Sequence, residues 1–406
     1  MLTQLSIKQL KRSFDKTTYH FTSIPDCNLD NKFGIYVHVP FCLTKCSFCP
    51  FYKEILNESD KDSYLSAIKN EIDSSTMSGT AKWIYFGGGT PNVLSIDELQ
   101  GIISSLKNKV HIEQLGIELL PALLNDDYLK ALPSIGFNKI SIGVESMSKE
   151  LMKESGRTIL KHEKIDPLIS TALSYGLMVN TDLMVGIPGQ TPESFLTDVD
   201  IMASIMPSQI TLYPYMNIRG FETPAAFPEP EQFALIEEAG QHLIEKGYNR
   251  SGIWTYAVSD ELYDSSRDEL IEDYVGFGPA AFSTYGQWKI VNPEVDAYLK
   301  SMSNGKRMGF VAEKQKAADD WRRFARKIYD LDVSDFSELP GYIRTFGALL
   351  EMTDVIQNGI LTDKGLKYAH QLTKTVVEAL PFPVQNRGCV ENYKEYLSFK
   401  SGDKNS

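Results

Sequence analysis

The sequence predicts an α/β fold, a partial (βα)6 TIM-like barrel with a mostly helical C-terminal domain. From residue 34 onward a short β-branched or aromatic run, a polar turn and an amphipathic stretch of helical length recur in order. Six such units fall short of the eight that close a barrel, so the expected barrel is laterally open. The competing architecture is a doubly wound sheet. Site residues at the carboxyl ends of many strands favour the barrel over it. With 406 residues, 42% hydrophobic and 23% charged, the chain can build a large core, and collagen-like, low-complexity and disordered classes drop out.

Residues 1–33 read as an N-terminal arm: they carry charges throughout and hold no apolar run of signal-peptide length. The expected strands are 34–39, 83–86, 116–120, 139–144, 178–185 and 209–215. Helices are expected at 60–73, 96–107, 126–132, 147–154, 164–175 and 194–205, many of them after a Ser, Thr, Asp or Asn that can cap them. Residues 34–220 thus form the barrel. Beyond it the rhythm changes. Pro224, Pro228 and Pro230 mark a connection, 231–245 reads as a helix, and 272–283 is a glycine-interrupted apolar segment that must lie against something. This region, 221–310, reads as a barrel extension. From residue 314 helices dominate, with a turn at 361–365, so 311–406 is expected to be a helical or winged-helix-like domain. Only 401–406 read as disordered.

Fifty-three acidic against 41 basic side chains leave a formal charge of −12, which argues against a broad phosphate-neutralising face and hence against nucleic acid as a partner. No stretch is long and apolar enough to span a bilayer. A cytoplasmic location is expected, and peripheral membrane contact is left open.

The five cysteines are odd in number and too few for a disulfide scaffold, yet Cys42, Cys46 and Cys49 fall within eight residues, directly after the first strand. Soft thiolates suit an iron–sulfur cluster, zinc or copper. Zinc would seek a fourth ligand, and the local candidate is His38 on the strand. A four-iron cluster held by three thiolates keeps one iron free of protein ligands. Cys27 and Cys389 are isolated and read as incidental thiols.

The run Cys42-Leu43-Thr44-Lys45-Cys46-Ser47-Phe48-Cys49 resembles the signature of radical S-adenosylmethionine (SAM) enzymes. Six further motifs in order resemble the oxygen-independent coproporphyrinogen III oxidase family: Tyr36-Val37-His38-Val39-Pro40-Phe41, Gly87-Gly88-Gly89-Thr90-Pro91, Ser141-Ile142-Gly143-Val144-Glu145, Gly156-Arg157, the run 182–191 and the run 276–283. The resemblance implies a [4Fe-4S] cluster on Cys42, Cys46 and Cys49. Its unligated iron would hold SAM, which an electron cleaves to a 5′-deoxyadenosyl radical. By the same resemblance Gly87, Gly88, Gly89 and Thr90 line SAM, Glu118, Glu145, Arg157 and Asp182 contact it, and Tyr36 and Phe48 flank the cluster and the adenine. Glycines at a strand end also let the backbone approach a ligand closely.

Glu145 stands where the oxidases usually carry Gln, which bears on the SAM contacts. Two other departures select within the family. The oxidases have a longer amino-terminal arm and a further cysteine where this chain has Phe51. The haem chaperones carry a His-Asn pair that the stretch 263–275 lacks. These departures favour the family's C-methylases, which use two SAM molecules; the second would sit near Gly88 and the segment ending at Phe282. Tyr213 and Tyr215 could line a flat substrate or simply pack the barrel. The expected reaction is methylation of an sp2 carbon in an aromatic, quinone or tetrapyrrole-like small molecule. Porphyrinogen decarboxylation, haem cleavage and a non-catalytic haem or cluster carrier are the alternatives. The resemblance also implies a flavodoxin- or ferredoxin-like electron donor.

Overall fold

The structure, a computed structural model, describes residues 2–15, 17–158, 164–216, 224–259, 273–379, 383–384 and 387–401. The part of the stretch 263–275 before Asp273, the boundary at 220 and residues 402–406 lie outside them.

The first strands are β1 (His20–Ser23), β2 (Lys32–Val39), β3 (Phe41–Cys42), β4 (Glu54–Ile55), β5 (Thr80–Gly88), β6 (His111–Ile112) and β7 (Leu115–Leu119). They are followed by β8 (Lys139–Glu145), β9 (Met178–Val185), β10 (Gln209–Pro214), β11 (Asn249–Arg250) and β12 (Thr255–Ala257). The series continues with β13 (Tyr274–Phe277), β14 (Phe282–Tyr285), β15 (Trp288–Val291) and β16 (Met308–Glu313), and closes with β17 (Ile356–Gln357) and β18 (Ile360–Leu361). Strands β2, β5, β7, β8, β9 and β10 pair in that order and in parallel, so the six predicted strands form one continuous parallel sheet.

Helices cross over between these strands where the caps say they should. Ser95 and Glu98 form a reciprocal capping box on the helix Ile96–Lys107, Asn125 caps Asp126–Ile135, and Thr191 caps Pro192–Ile205. Gly136, left-handed at φ 110°, ends the second of these as a C-terminal glycine should. The strands read as apolar runs because helices cover them: all seven residues of β8 are buried.

The sheet also has a seventh parallel strand that the sequence periodicity does not mark. Strand β13, only four residues long, pairs with the free edge of β2, so the apolar segment after residue 272 finds its partner there. A Cβ on Gly276 would lie 2.1 Å from the carbonyl oxygen of Phe282, which is why this strand contains a glycine. Beyond β13 the sheet turns antiparallel through β14, β15, β16 and β1. At its other end β12 and β11 add an antiparallel edge. The N-terminal arm is therefore built into the molecule: β1 completes the sheet, and the helix Leu2–Asp15 packs on the helices Lys316–Tyr329 and Asp363–Glu378.

Candidate active site at the mouth of the barrel

The site lies where the parallel strands end. A cleft with a cavity volume of about 160 Å³ opens there. Its walls hold Cys42, Cys46 and Cys49 together with Phe48, Gly88, Gly89, Thr90, Glu118, Glu145 and Arg157. Residues from the carboxyl ends of β5, β7 and β8 thus meet the cysteine loop after β2, and because β2, β5, β7, β8, β9 and β10 pair in chain order with no reversal, the sheet is that of a barrel and not a doubly wound one. Four of the residues expected around SAM and the cluster do not line this cleft. Gly87 lies one residue inside β5, and Tyr36 lies on β2, where its ring stacks on Tyr85 at 6.4 Å. Asp182 sits deeper in the barrel on β9. Phe282 packs against the apolar cluster of Phe21, Phe310 and Tyr396 that joins the two chain ends.

Each cysteine has a hydrogen-bond donor. Thr90 Oγ1 donates to Cys42 Sγ at 3.3 Å, and Arg157 Nη1 reaches Cys46 Sγ at 3.9 Å. Lys53 Nζ donates to the Cys49 carbonyl at 2.7 Å and to that of Phe51 at 3.2 Å, and its charge also draws the Cys49 thiol downward. Burial works the other way, pushing Cys42 up to about 11 and Cys49 above its ordinary value. Such thiols become thiolates on binding a metal centre, and each then has a donor to stabilise it. The residues fit a cluster.

His38 is not a spare ligand. Its Nδ1 lies 3.0 Å from Tyr36 Oη and its Nε2 lies 3.3 Å from the Tyr52 carbonyl. The carbonyl can only accept, so Nε2 carries the proton and Nδ1 accepts from the tyrosine. Burial holds the ring neutral, its pKa lowered to about 4. The histidine supports the cysteine loop from behind. It also explains a glycine: a Cβ on Gly88, which has φ 108°, would stand 2.6 Å from the His38 ring, and one on Gly89 would stand 2.6 Å from the Phe41 carbonyl oxygen. The triple glycine therefore serves close packing of the strand on the cysteine loop as well as the cleft.

Three carboxylates converge inside the barrel. Burial raises Glu118 to about 8 and Asp182 to about 7, and mutual repulsion among Glu118, Asp182 and Glu145 adds to it. Glu145 is raised by burial against the opposing pull of Arg157. Such a group of acids calls for a positive guest, and SAM carries a sulfonium and an ammonium. The residues fit this cofactor too. Asp182 is held by Ser141 Oγ, the first residue of the 141–145 motif, and by Asn180 Nδ2 at 3.0 Å, a polar residue of the barrel interior that no motif marks.

Glu145 is the strained member. It adopts φ 67°, unusual for a side-chain-bearing residue, at the bulge where β8 leaves its register with β9. Its carboxylate accepts from Tyr213 Oη and pairs with Arg157 Nη2 at 3.6 Å. Arg157 also donates to the Gly143 carbonyl and lies 5.9 Å from the Phe48 ring centre. The structure thus ties Arg157 to Glu145 and Cys46. Tyr213, ambiguous in the sequence, is a cleft residue, whereas Tyr215 is fully buried in the barrel. Leu120, Met184, Met216 and Val377 complete the apolar wall. Met184 lies within the run 182–191, whereas no local motif marks Leu120, Met216 or Val377, which the fold recruits. Val377 comes from the far end of the chain.

Residues 36–202 match the Radical SAM superfamily. Over 303 residues the chain is 26% identical to the oxygen-independent coproporphyrinogen III oxidase of Pseudomonas aeruginosa, covering 67% of this chain and 66% of that one. It thus spans just under two thirds of that relative. Over 289 residues it is 26% identical to the haem chaperone HemW of Lactococcus lactis, covering 67% and 75%. The solved structure of coproporphyrinogen III oxidase from Escherichia coli, a radical SAM enzyme, matches with a TM-score of 0.69 at 20% identity over 92% of this chain and 93% of that one, a likeness of fold. With the cysteine loop and the carboxylate-lined barrel, residues 36–202 are a Radical SAM domain, the chain is similar to coproporphyrinogen III oxidases and haem chaperones, and the cofactors such a domain implies are a [4Fe-4S] cluster and SAM.

Proposed function

We propose that this radical SAM enzyme C-methylates an sp2 carbon of an unsaturated, largely apolar small molecule, using a second SAM as the methyl source. The observation that carries this reading is the make-up of the cleft. Leu43, Phe51, Leu120, Met184, Met216 and Val377 supply its open wall. Among the described lining residues the cations are Lys53 and Arg157, and both are engaged, by backbone carbonyls and by Glu145. A substrate with several carboxylates would meet few free counter-charges there, whereas a flat apolar one would bury area at about 25 cal/mol per Å².

When bound, the cluster and SAM supply a 5′-deoxyadenosyl radical. The chain's own part begins with Cys42, Cys46 and Cys49 holding the cluster and Glu118, Glu145 and Asp182 offering acceptors to SAM's cationic and hydroxyl groups. Phe48, Met184 and Tyr213 then keep water from the reacting centre. A flavodoxin- or ferredoxin-like protein is the proposed electron source, and methylation calls for a second SAM near Gly88. Anaerobic turnover with SAM deuterated in its methyl group, over a panel of quinones, aromatics and tetrapyrroles, tests the reading. Labelled product and labelled 5′-deoxyadenosine are expected; an unlabelled product or unlabelled 5′-deoxyadenosine overturns it.

A second reading rests on the relatives, which are named coproporphyrinogen III oxidases and haem chaperones. In that case the same panel yields carbon dioxide from coproporphyrinogen, or a stoichiometric haem complex without SAM cleavage. Against haem ligation, no histidine lines the cleft among the described residues.

A further inference from the structure

The donors around the three cysteines are not alike. Thr90 brings a neutral hydroxyl to Cys42 at 3.3 Å. Arg157 brings a full positive charge to Cys46 at 3.9 Å, and this guanidinium is fixed from three other sides by the Phe48 ring, the Gly143 carbonyl and the Glu145 carboxylate 3.6 Å away. Its side chain is 13% exposed and that of Glu145 9%, so water screens the pair little. A cluster on these cysteines gains one negative charge on reduction. The electron comes from an external one-electron donor, and no bond in the protein is made or broken. Hydrogen bonds and cations at the sulfurs favour the more negative state, and a carboxylate nearby disfavours it.

We propose that Thr90 and Arg157 are positioning residues that raise the reduction potential of the cluster through Cys42 and Cys46, and that Glu145 holds that potential down by neutralising Arg157. Glu145 also accepts from Tyr213, and both line the cleft. A ligand that draws Glu145 away from Arg157 therefore leaves more positive charge at Cys46 and makes the cluster easier to reduce. Binding in the cleft is in this way tied to electron entry. The inference rests on the three cysteines being the cluster's ligands.

The test is an anaerobic redox titration of the reconstituted full-length protein, followed by the electron paramagnetic resonance of the reduced cluster, without substrate. T90V and R157Q are expected to lower the reduced-to-oxidised ratio severalfold at a fixed potential, T90S to match the parent, and E145Q to raise the ratio. A tenfold change corresponds to about 59 mV for one electron. Midpoints of T90V and R157Q equal to that of the parent overturn the inference. So does E145Q moving in the same direction as R157Q. Should T90V alone fail to load iron, R157Q and E145Q carry the same test through opposite shifts. A parent protein that takes up no iron and stays colourless overturns instead the assignment of the cysteines, a result distinct from unchanged midpoints.

Discussion

Glu71 shows how much one side chain can organise. Its carboxylate, 1% exposed, accepts from the Gly278 backbone N–H at 2.9 Å, from Asn292 at 3.0 Å, from Tyr298 at 2.8 Å and from Arg307 at 3.2 Å. It ties the helix Glu58–Ser74 to the turn after β13, to the end of β15 and to the strand beyond. Removing one partner of such a buried pair strands the other charge, so Glu71→Ala should cost about 3–5 kcal/mol in urea unfolding. Gly88→Ala places a methyl group on the His38 ring at an unfavourable φ and should cost about 1–3 kcal/mol in the same measurement. At this scale the sequence was read well where residues cluster: the cysteine run and the glycine triplet announce themselves. Glu71 does not, because its partners lie more than 200 residues away and nothing local marks it.

Among the elements, the helix Asp363–Glu378 reaches farthest. Thr362 caps it, and its last turns bring Val377 to the cleft. Buried ion pairs clamp it. His370 stacks on Phe233 at 4.9 Å, accepts from Trp254 Nε1 at Nδ1, 3.0 Å away, and donates from Nε2 to Glu237, which a bidentate Arg250 also holds. Lys374 pairs with Glu229 and Glu378. The Trp254 bond requires an unprotonated Nδ1, and burial keeps His370 below its ordinary value. Hydrogen bonds from His370 and Arg250 outweigh burial at Glu237 and depress it to about 2.

Both folded-state values are lowered, so both groups stabilise the docked helix above their ordinary values and lose that contribution as the pH falls. For His370 the loss begins below about 6.5, and for Glu237 it runs from about 4.5 toward 2. Amide protection in 363–378, corrected for the pH dependence of intrinsic exchange, is therefore expected to fall between pH 7 and pH 5 ahead of that in β8. Equal protection at both pH values would contradict the clamp. The sequence marks this helix by its cap and periodicity, but its partners on the helix Glu229–Glu245 are set by tertiary packing.

Across the whole molecule, the barrel interior is built for a guest it must pay to await. Asp182 and Glu118 have folded-state values raised to about 7 and about 8. A carboxyl raised on folding contributes stability that is fully present below its ordinary value near 4 and is lost as the pH climbs through the raised one. The protein without cofactors is thus expected to melt at progressively lower temperature from pH 5 to pH 8, and Asp182→Asn should flatten that slope. Saturating SAM should raise the melting temperature at pH 8 more than at pH 6, since its cationic groups answer the ionised acids; a SAM-induced gain independent of pH would count against this. The six βα units, their caps and the cysteine spacing are local patterns, set by periodicities of two and 3.6 residues and by short-range ligand geometry, and the sequence by itself determined them. The tertiary structure alone decided that β13 joins β2, that β1 closes the far edge of the sheet, that Arg157 turns to Glu145 and Cys46, and that Val377 enters the cleft. Those outcomes depend on contacts between residues distant in the chain, for which no local period or motif exists.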